Sequence, residues 1–150
     1  RYPLMAELFA TTLDAYLVLH RISEDSLEKG TADGRAETID RAIDRLSRMI
    51  GSDRSRFGKR QATQLACQVF EEQQRETIDA IRHVARMSEM GDRHGIVTSG
   101  EGEWLVRSLE EQFPLSTFVS MSEVGSPALS RGACAWGVAH LWWRESARGS

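Results

Sequence analysis

The sequence is short of the features that identify many protein classes at once. It has two cysteines, Cys67 and Cys134, far apart in the chain. They form neither a CxxC pair nor a zinc-ligand spacing. Both lie in apolar helical contexts, so buried, free thiols in a reducing compartment are expected, and with them a cytoplasmic location. No apolar run approaches the roughly 20 residues that span a bilayer, and no signal peptide is visible. Charge of one sign is also scarce. The net charge of −3 implies no general affinity for nucleic acid or an anionic membrane. The one basic cluster, Arg54, Arg56, Lys59 and Arg60, reads as a solvated loop and helix start. There is no G-x-S-x-G elbow and no Gly-Lys-Ser/Thr phosphate loop, which disfavours a serine hydrolase and a P-loop NTPase. His20, His83, His94 and His140 show no metal-ligand pairing.

What remains is an ordinary globular composition, 41% apolar and 27% charged over 150 residues, enough for one domain with a core. The chain begins at Arg1 and enters an apolar segment directly, as a piece of a longer two-domain protein would. Leu4 to Leu19 carries Met5, Leu8, Phe9, Leu13, Tyr16 and Leu17 at partly helical spacing. Thr11, Thr12 and Asp14 interrupt it, so one helix or a helix broken at the threonines are both compatible. Glu24 to Arg35 is polar and reads as a loop turning at Asp33-Gly34. From Glu37 to Ile50 the apolar positions recur every three or four residues, which predicts an amphipathic helix stopped by Gly51. Arg41, Asp44, Arg45 and Arg48 fall on its other face. Lys59 to Met90 predicts a long helix, or two, ended by Gly91.

The last third changes character. Gly95–Thr98 and Ser116–Met121 are strand candidates. Glu103–Gln112 is a helix candidate, and a further helix runs from Pro127 to about Arg144. Strand–helix–strand–helix order predicts an α/β layer with parallel strands. Leu129, Gly132, Ala133, Trp136, Gly137 and Ala139 suggest that the final helix packs closely in a core. A mostly helical substrate-side part, 1–91, and an α/β nucleotide-side part, 92–150, are expected.

Two groups of residues suggest chemistry. In GIVTSGEGEWLV, residues 95–106, Ser99, Gly100 and Gly102 precede a helix that opens with Glu103. Glycine there lets a phosphate or planar ring approach the backbone, and Glu103 could cap the helix or bond a ribose hydroxyl. A dinucleotide fingerprint lacks its third glycine, because Leu105 stands there, although Glu123 is placed for a ribose acid. A plain strand-to-helix turn stays open beside a phosphate- or nucleoside-facing one. The second group is Thr11, Thr12, Asp14, Asp33 and Arg35. Asp14 and Asp33 are candidate catalytic residues and Mg2+ ligands on a diphosphate. Thr11, Thr12 and Arg35 are candidate substrate contacts. A helix cap and an ordinary turn explain the same residues.

Four stretches carry a family resemblance: AELFATTLDAYLVL (6–19), TADGR (31–35), RAIDRLSRMIG (41–51) and GIVTSGEGEWL (95–105). In order and spacing the chain resembles the C-terminal part of hydantoinase/oxoprolinase-related proteins. More narrowly, it is similar to the tetrahydromethanopterin-linked one-carbon transfer pathway proteins. The resemblance implies a helix-rich portion of an actin-like ATPase, sugar kinase and Hsp70-type (ribonuclease H-like) fold. It implies a transferase of methanofuran-type cofactor biosynthesis, joining an aminomethylfuran diphosphate to a tyramine phenol with release of diphosphate. The ligands implied are a small-molecule substrate, ATP or another diphosphate-bearing molecule, and Mg2+; a homo-oligomer is compatible. A non-catalytic nucleotide- or partner-binding portion, and an ATP-dependent hydantoinase/oxoprolinase-type hydrolase, are the alternatives. The Asp-x-Gly-Gly phosphate loop that the superfamily implies is absent from this chain.

Overall fold

A computed structural model describes residues 7–88 and 93–148. The chain forms two compact units, one ending at Gln73 and the other starting at Gln74. Tyr2 to Met5 and Gly91, the expected end of the long helix, lie outside the described residues.

The first unit is helical. α1 is Thr12–Val18, α2 is Ile39–Met49, and α3 begins at Lys59 and runs unbroken to Met87. The threonine pair therefore marks the start of a helix within the described residues. The polar stretch EEQQRET does not divide α3. α1 packs on α2, and Ala15, Leu17, Val18, Ala42, Ile43 and Leu46 are buried with Phe57, Ala62, Leu65 and Ala66 of the following segment. The loop between α1 and α2 is fastened by a two-residue antiparallel bridge between Asp25 and Glu37. Glu24 then accepts a hydrogen bond at 2.6 Å from the Ile39 N–H, one of the donors that the start of α2 leaves unpaired.

Both short helices end in the same way. After α2, the Gly51 N–H bonds the Arg48 carbonyl at 2.9 Å and the Ser52 N–H bonds that of Ser47 at 2.9 Å. This is a Schellman motif, with Gly51 at φ 66° in the left-handed region that glycine adopts without penalty. After α1, the His20 N–H bonds Leu17 and the Arg21 N–H bonds Tyr16 in the same pattern. Here the left-handed position is held by His20, φ 54°.

The second unit is α/β. β1, Gly95–Thr98, and β2, Thr117–Ser120, pair in parallel, with Ile96 opposite Phe118 and Thr98 opposite Ser120. These are the only strands among the described residues. α4, Glu103–Arg107, connects them and is followed by a 3-10 turn at Glu110–Gln112, so the single helix expected there is divided. Leu109 and Phe113 are buried in this unit, with Phe118 against Phe113 at 6.2 Å and the Arg82 guanidinium over the Phe113 ring at 5.7 Å. α5, Met121–Val124, α6, Pro127–Arg131, and α7, Ala133–Arg148, complete it.

Three expectations are corrected here. The helix expected from Pro127 to Arg144 breaks at Gly132, between α6 and α7. α7 does not pack closely: Trp136, Val138, Leu141, Trp142 and Trp143 are each at least half exposed, and a Cβ on Gly137 would meet no atom within 4 Å. Cys67 and Cys134 are free, as expected, but both are exposed.

Replacing His20 by glycine removes the strain of a side chain in the left-handed region but raises the entropy of the unfolded chain. Net stabilisation of about 0.5–1 kcal/mol is expected. Urea unfolding followed by circular dichroism should show a higher midpoint for His20→Gly.

Candidate functional site

The structure gathers the sequence-selected residues into two separate clusters, one in each unit. In the first, α1 begins with its acid turned inward. The Thr11 N–H donates to Asp14 Oδ2 at 2.9 Å, and Asp14 itself is buried. α2 supplies the partner. Arg45 Nε donates to Asp14 Oδ1 at 2.7 Å, and Arg45 is wholly buried. Its Nη2 stands 2.6 Å from the same oxygen but out of line for a hydrogen bond, so it adds charge attraction without a directed bond. This corrects the placement of Arg45 on the water-facing side of α2. At about 100° per residue it flanks Met49 at the edge of the apolar stripe, and the acid on α1 draws it inward.

The TADGR loop closes the cluster. The Gly34 N–H bonds the Thr31 carbonyl at 3.1 Å, and Thr31 Oγ1 donates to the Arg35 carbonyl at 2.7 Å. This turn presents Asp33 to two arginines. Arg45 Nη1 reaches Oδ1 and Arg48 Nη1 reaches Oδ2, each at 3.1 Å. Burial pushes the Asp33 carboxyl up, but bonds from Arg48, the Arg35 N–H and Arg45 outweigh it, and its pKa lies below the ordinary value. Arg35 is exposed, with Nε 3.9 Å from Asp33. Thr11 and Thr12 are also exposed.

Asp14 and Asp33 thus converge, as magnesium ligands would. The ion between them is the Arg45 guanidinium, and all four of their carboxylate oxygens accept from Arg45, Arg48 or the Thr11 N–H. The pair as arranged does not fit Mg2+, which needs open oxygen ligands. Among the described residues no group of three or more His, Cys, Asp or Glu side chains could hold a metal ion.

The second cluster surrounds the glycine turn. Gly100 has φ 89°, a conformation that a side chain would strain although it would clash with nothing. Its N–H donates to Ser130 Oγ at 2.8 Å. Glu103, in the first turn of α4, is buried, and its carboxylate collects donors from three elements. Ser120 at the end of β2, Ser122 on α5 and Ser130 on α6 all give it their hydroxyl protons, Ser122 at 2.7 Å, and the Ser122 N–H adds a bond at 3.2 Å. The Ser120 and Ser130 hydroxyls, then that of Ser122, lower the Glu103 pKa to about 2 against the opposing effect of burial.

A cleft of about 330 Å3 opens beside this cluster, lined by Gly100, Glu101, Trp104, Arg107, Ser122 and Arg131 among others. Arg107 pairs with Glu123, and Arg131 Nη1 lies 3.7 Å from Glu101. Ser99 and Gly102 line a neighbouring cavity of about 320 Å3, with Thr77, Ile81 and the β1 residues. Glu103 touches both.

Several of these residues were not singled out from sequence. Arg45 carried a faint signal at the edge of the apolar stripe. Ser120 with Glu123 three residues on has the form of a capping box, and the Ser120 hydroxyl does accept from the Glu123 N–H at 3.3 Å. Nothing local marks Ser122 or Ser130, whose partner is distant in the chain.

With this geometry established, comparison with known proteins gives the family. The hydantoinase/oxoprolinase family profile matches residues 6–144, and the chain belongs to that family. No curated protein matches the chain. No described helix is long and apolar enough to cross a membrane.

Two measurements probe the clusters. Asp14→Ala leaves the Arg45 charge buried with only Asp33 beside it, and a loss of about 3–5 kcal/mol is expected. Asp14→Ala with Arg45→Met should lose less than the single variant, because no charge is then stranded. Glu103 has its folded pKa depressed from 4.5 to about 2, so its contribution is full above pH 4.5 and is lost as the pH falls towards 2. Glu103→Gln should flatten the acid limb of the stability profile in that window.

Proposed function

We propose that the chain is part of a transferase of methanofuran-type cofactor biosynthesis, built on an actin-like fold, that joins an aminomethylfuran diphosphate to a tyramine phenol. The phenol oxygen forms a bond to the furan methylene carbon. The bond from that carbon to the diphosphate oxygen breaks, the phenol proton passes to a base, and diphosphate leaves. Family membership and the four sequence stretches that carry the narrower resemblance support the reading.

The observation that carries it is the cleft at the glycine turn, with the guanidinium groups of Arg107 and Arg131 among its lining residues. Both arginines are paired only with exposed acids, Glu123, Glu110 and Glu101. Ion pairs in water are weak, and a diphosphate offers two guanidiniums several charged oxygens at once. Developing charge on a leaving diphosphate needs such cationic groups. Gly100, tied to Ser130, contributes no side chain to the cleft wall beside them.

The intact protein, incubated with aminomethylfuran diphosphate and tyramine, is expected to release diphosphate and the aryl ether in equal amounts without ATP. Arg107→Ala with Arg131→Ala should reduce the rate at least about tenfold, as loss of charge-assisted bonds to the leaving group does. ADP formation that depends on a hydantoin or 5-oxoproline, with no ether, would instead support the ATP-dependent hydrolase.

A further inference from the structure

The serine cluster limits what its cleft can recognise. Ser120, Ser122 and Ser130 have one hydroxyl proton each. Ser130 gives its proton to Glu103 Oε1. Ser120 and Ser122 each reach Glu103 Oε2, and their oxygens lie 2.8 Å apart. Every assignment of these two protons, to the carboxylate or to the other serine, keeps both inside the cluster. A hydroxyl has one donor and two acceptor lone pairs. With its proton committed, it offers only acceptors to anything outside.

Ser130 uses a lone pair on the Gly100 N–H, and Ser120 uses one on the Glu123 N–H. Ser122 lines the cleft and has no such backbone donor upon its oxygen among the bonds of this cluster. Protonation of Glu103 would free a hydroxyl to turn outward, but its low pKa keeps the carboxylate ionised near neutral pH.

Charge acts in the same direction. Glu103, which receives the hydroxyl protons, lines the cleft, and so does Glu101. Arg107 and Arg131 are offset by Glu110, Glu123 and Glu101. The serines of the cleft therefore present lone pairs in a negative field, while its arginines can be drawn to an anion.

We propose that this cleft binds an amphoteric ligand, with a primary ammonium donating to Ser122 Oγ and an anionic group facing Arg107 and Arg131. Glu103 is then a positioning residue: it fixes which way the hydroxyls point. Only the choice of a diphosphate as the anionic group rests on the transferase reading above.

Calorimetric titration of the intact protein with aminoethyl diphosphate, ethyl diphosphate and inorganic diphosphate tests this. Aminoethyl diphosphate should bind about tenfold or more tightly than ethyl diphosphate, the gain of a charge-assisted hydrogen bond. Ser122→Ala should abolish that preference and leave the affinity for ethyl diphosphate within about twofold, whereas a merely structural loss would weaken both ligands alike. Glu103→Gln, which replaces the acceptor carboxylate by a group that can donate, should also reduce the preference. Equal affinities for the two organic diphosphates, or no binding of either, overturn the proposal. Ammonium preference without ether formation would leave it standing while removing the transferase; ether formation without preference would do the reverse.

Discussion

A carboxylate taken out of water must be surrounded by donors, and that constraint organises both units. In the first, burying Asp14 at the start of α1 requires a cation on the facing helix, and Arg45 is drawn from the polar edge of α2 into the core. Its second arm then fixes Asp33, so a single guanidinium joins α1, α2 and the TADGR loop. In the second, Glu103 has no buried arginine. Its charge is met by three serine hydroxyls and one backbone N–H, contributed by β2, α5 and α6.

The two solutions have different chemical consequences. Arg45 and Arg48 together balance the charge of the two aspartates, and the cluster behaves as a structural joint. Hydroxyls around a lone carboxylate leave the charge in place but orient their own dipoles. The wall they form is rich in acceptors and belongs to an open cleft that Arg107 and Arg131 also line. The proposed ligand site therefore lies in the second unit, whereas the oxygens of the two aspartates are already engaged.

Much of the local structure was legible in the sequence. The three- and four-residue apolar spacing gave α2, Gly51 ended it, and the short apolar runs gave two strands that pair in parallel, as the order of elements required. The glycine turn between the strand and the helix was legible too, and Gly100 lines a cleft. What failed to show were features set by distant neighbours. Arginine on a helix is assigned to water unless an acid elsewhere requires it, so the burial of Arg45 was invisible from α2 alone. Ser130 reads as a helix residue until Glu103, 27 positions earlier, is placed against it. Cys67, Cys134 and the tryptophans of α7 looked apolar by their neighbours in sequence, yet exposure depends on which element covers a face.

The central claim is that Glu103 remains ionised and holds the serine hydroxyl protons inward. Carbon-13 labelling of the glutamate carboxyls with an NMR titration measures this directly. The account predicts that the Glu103 resonance, assigned by its loss in Glu103→Gln, titrates with a midpoint near 2. A midpoint near the ordinary 4.5 would mean that the hydroxyls do not converge on the carboxylate, and would contradict the account.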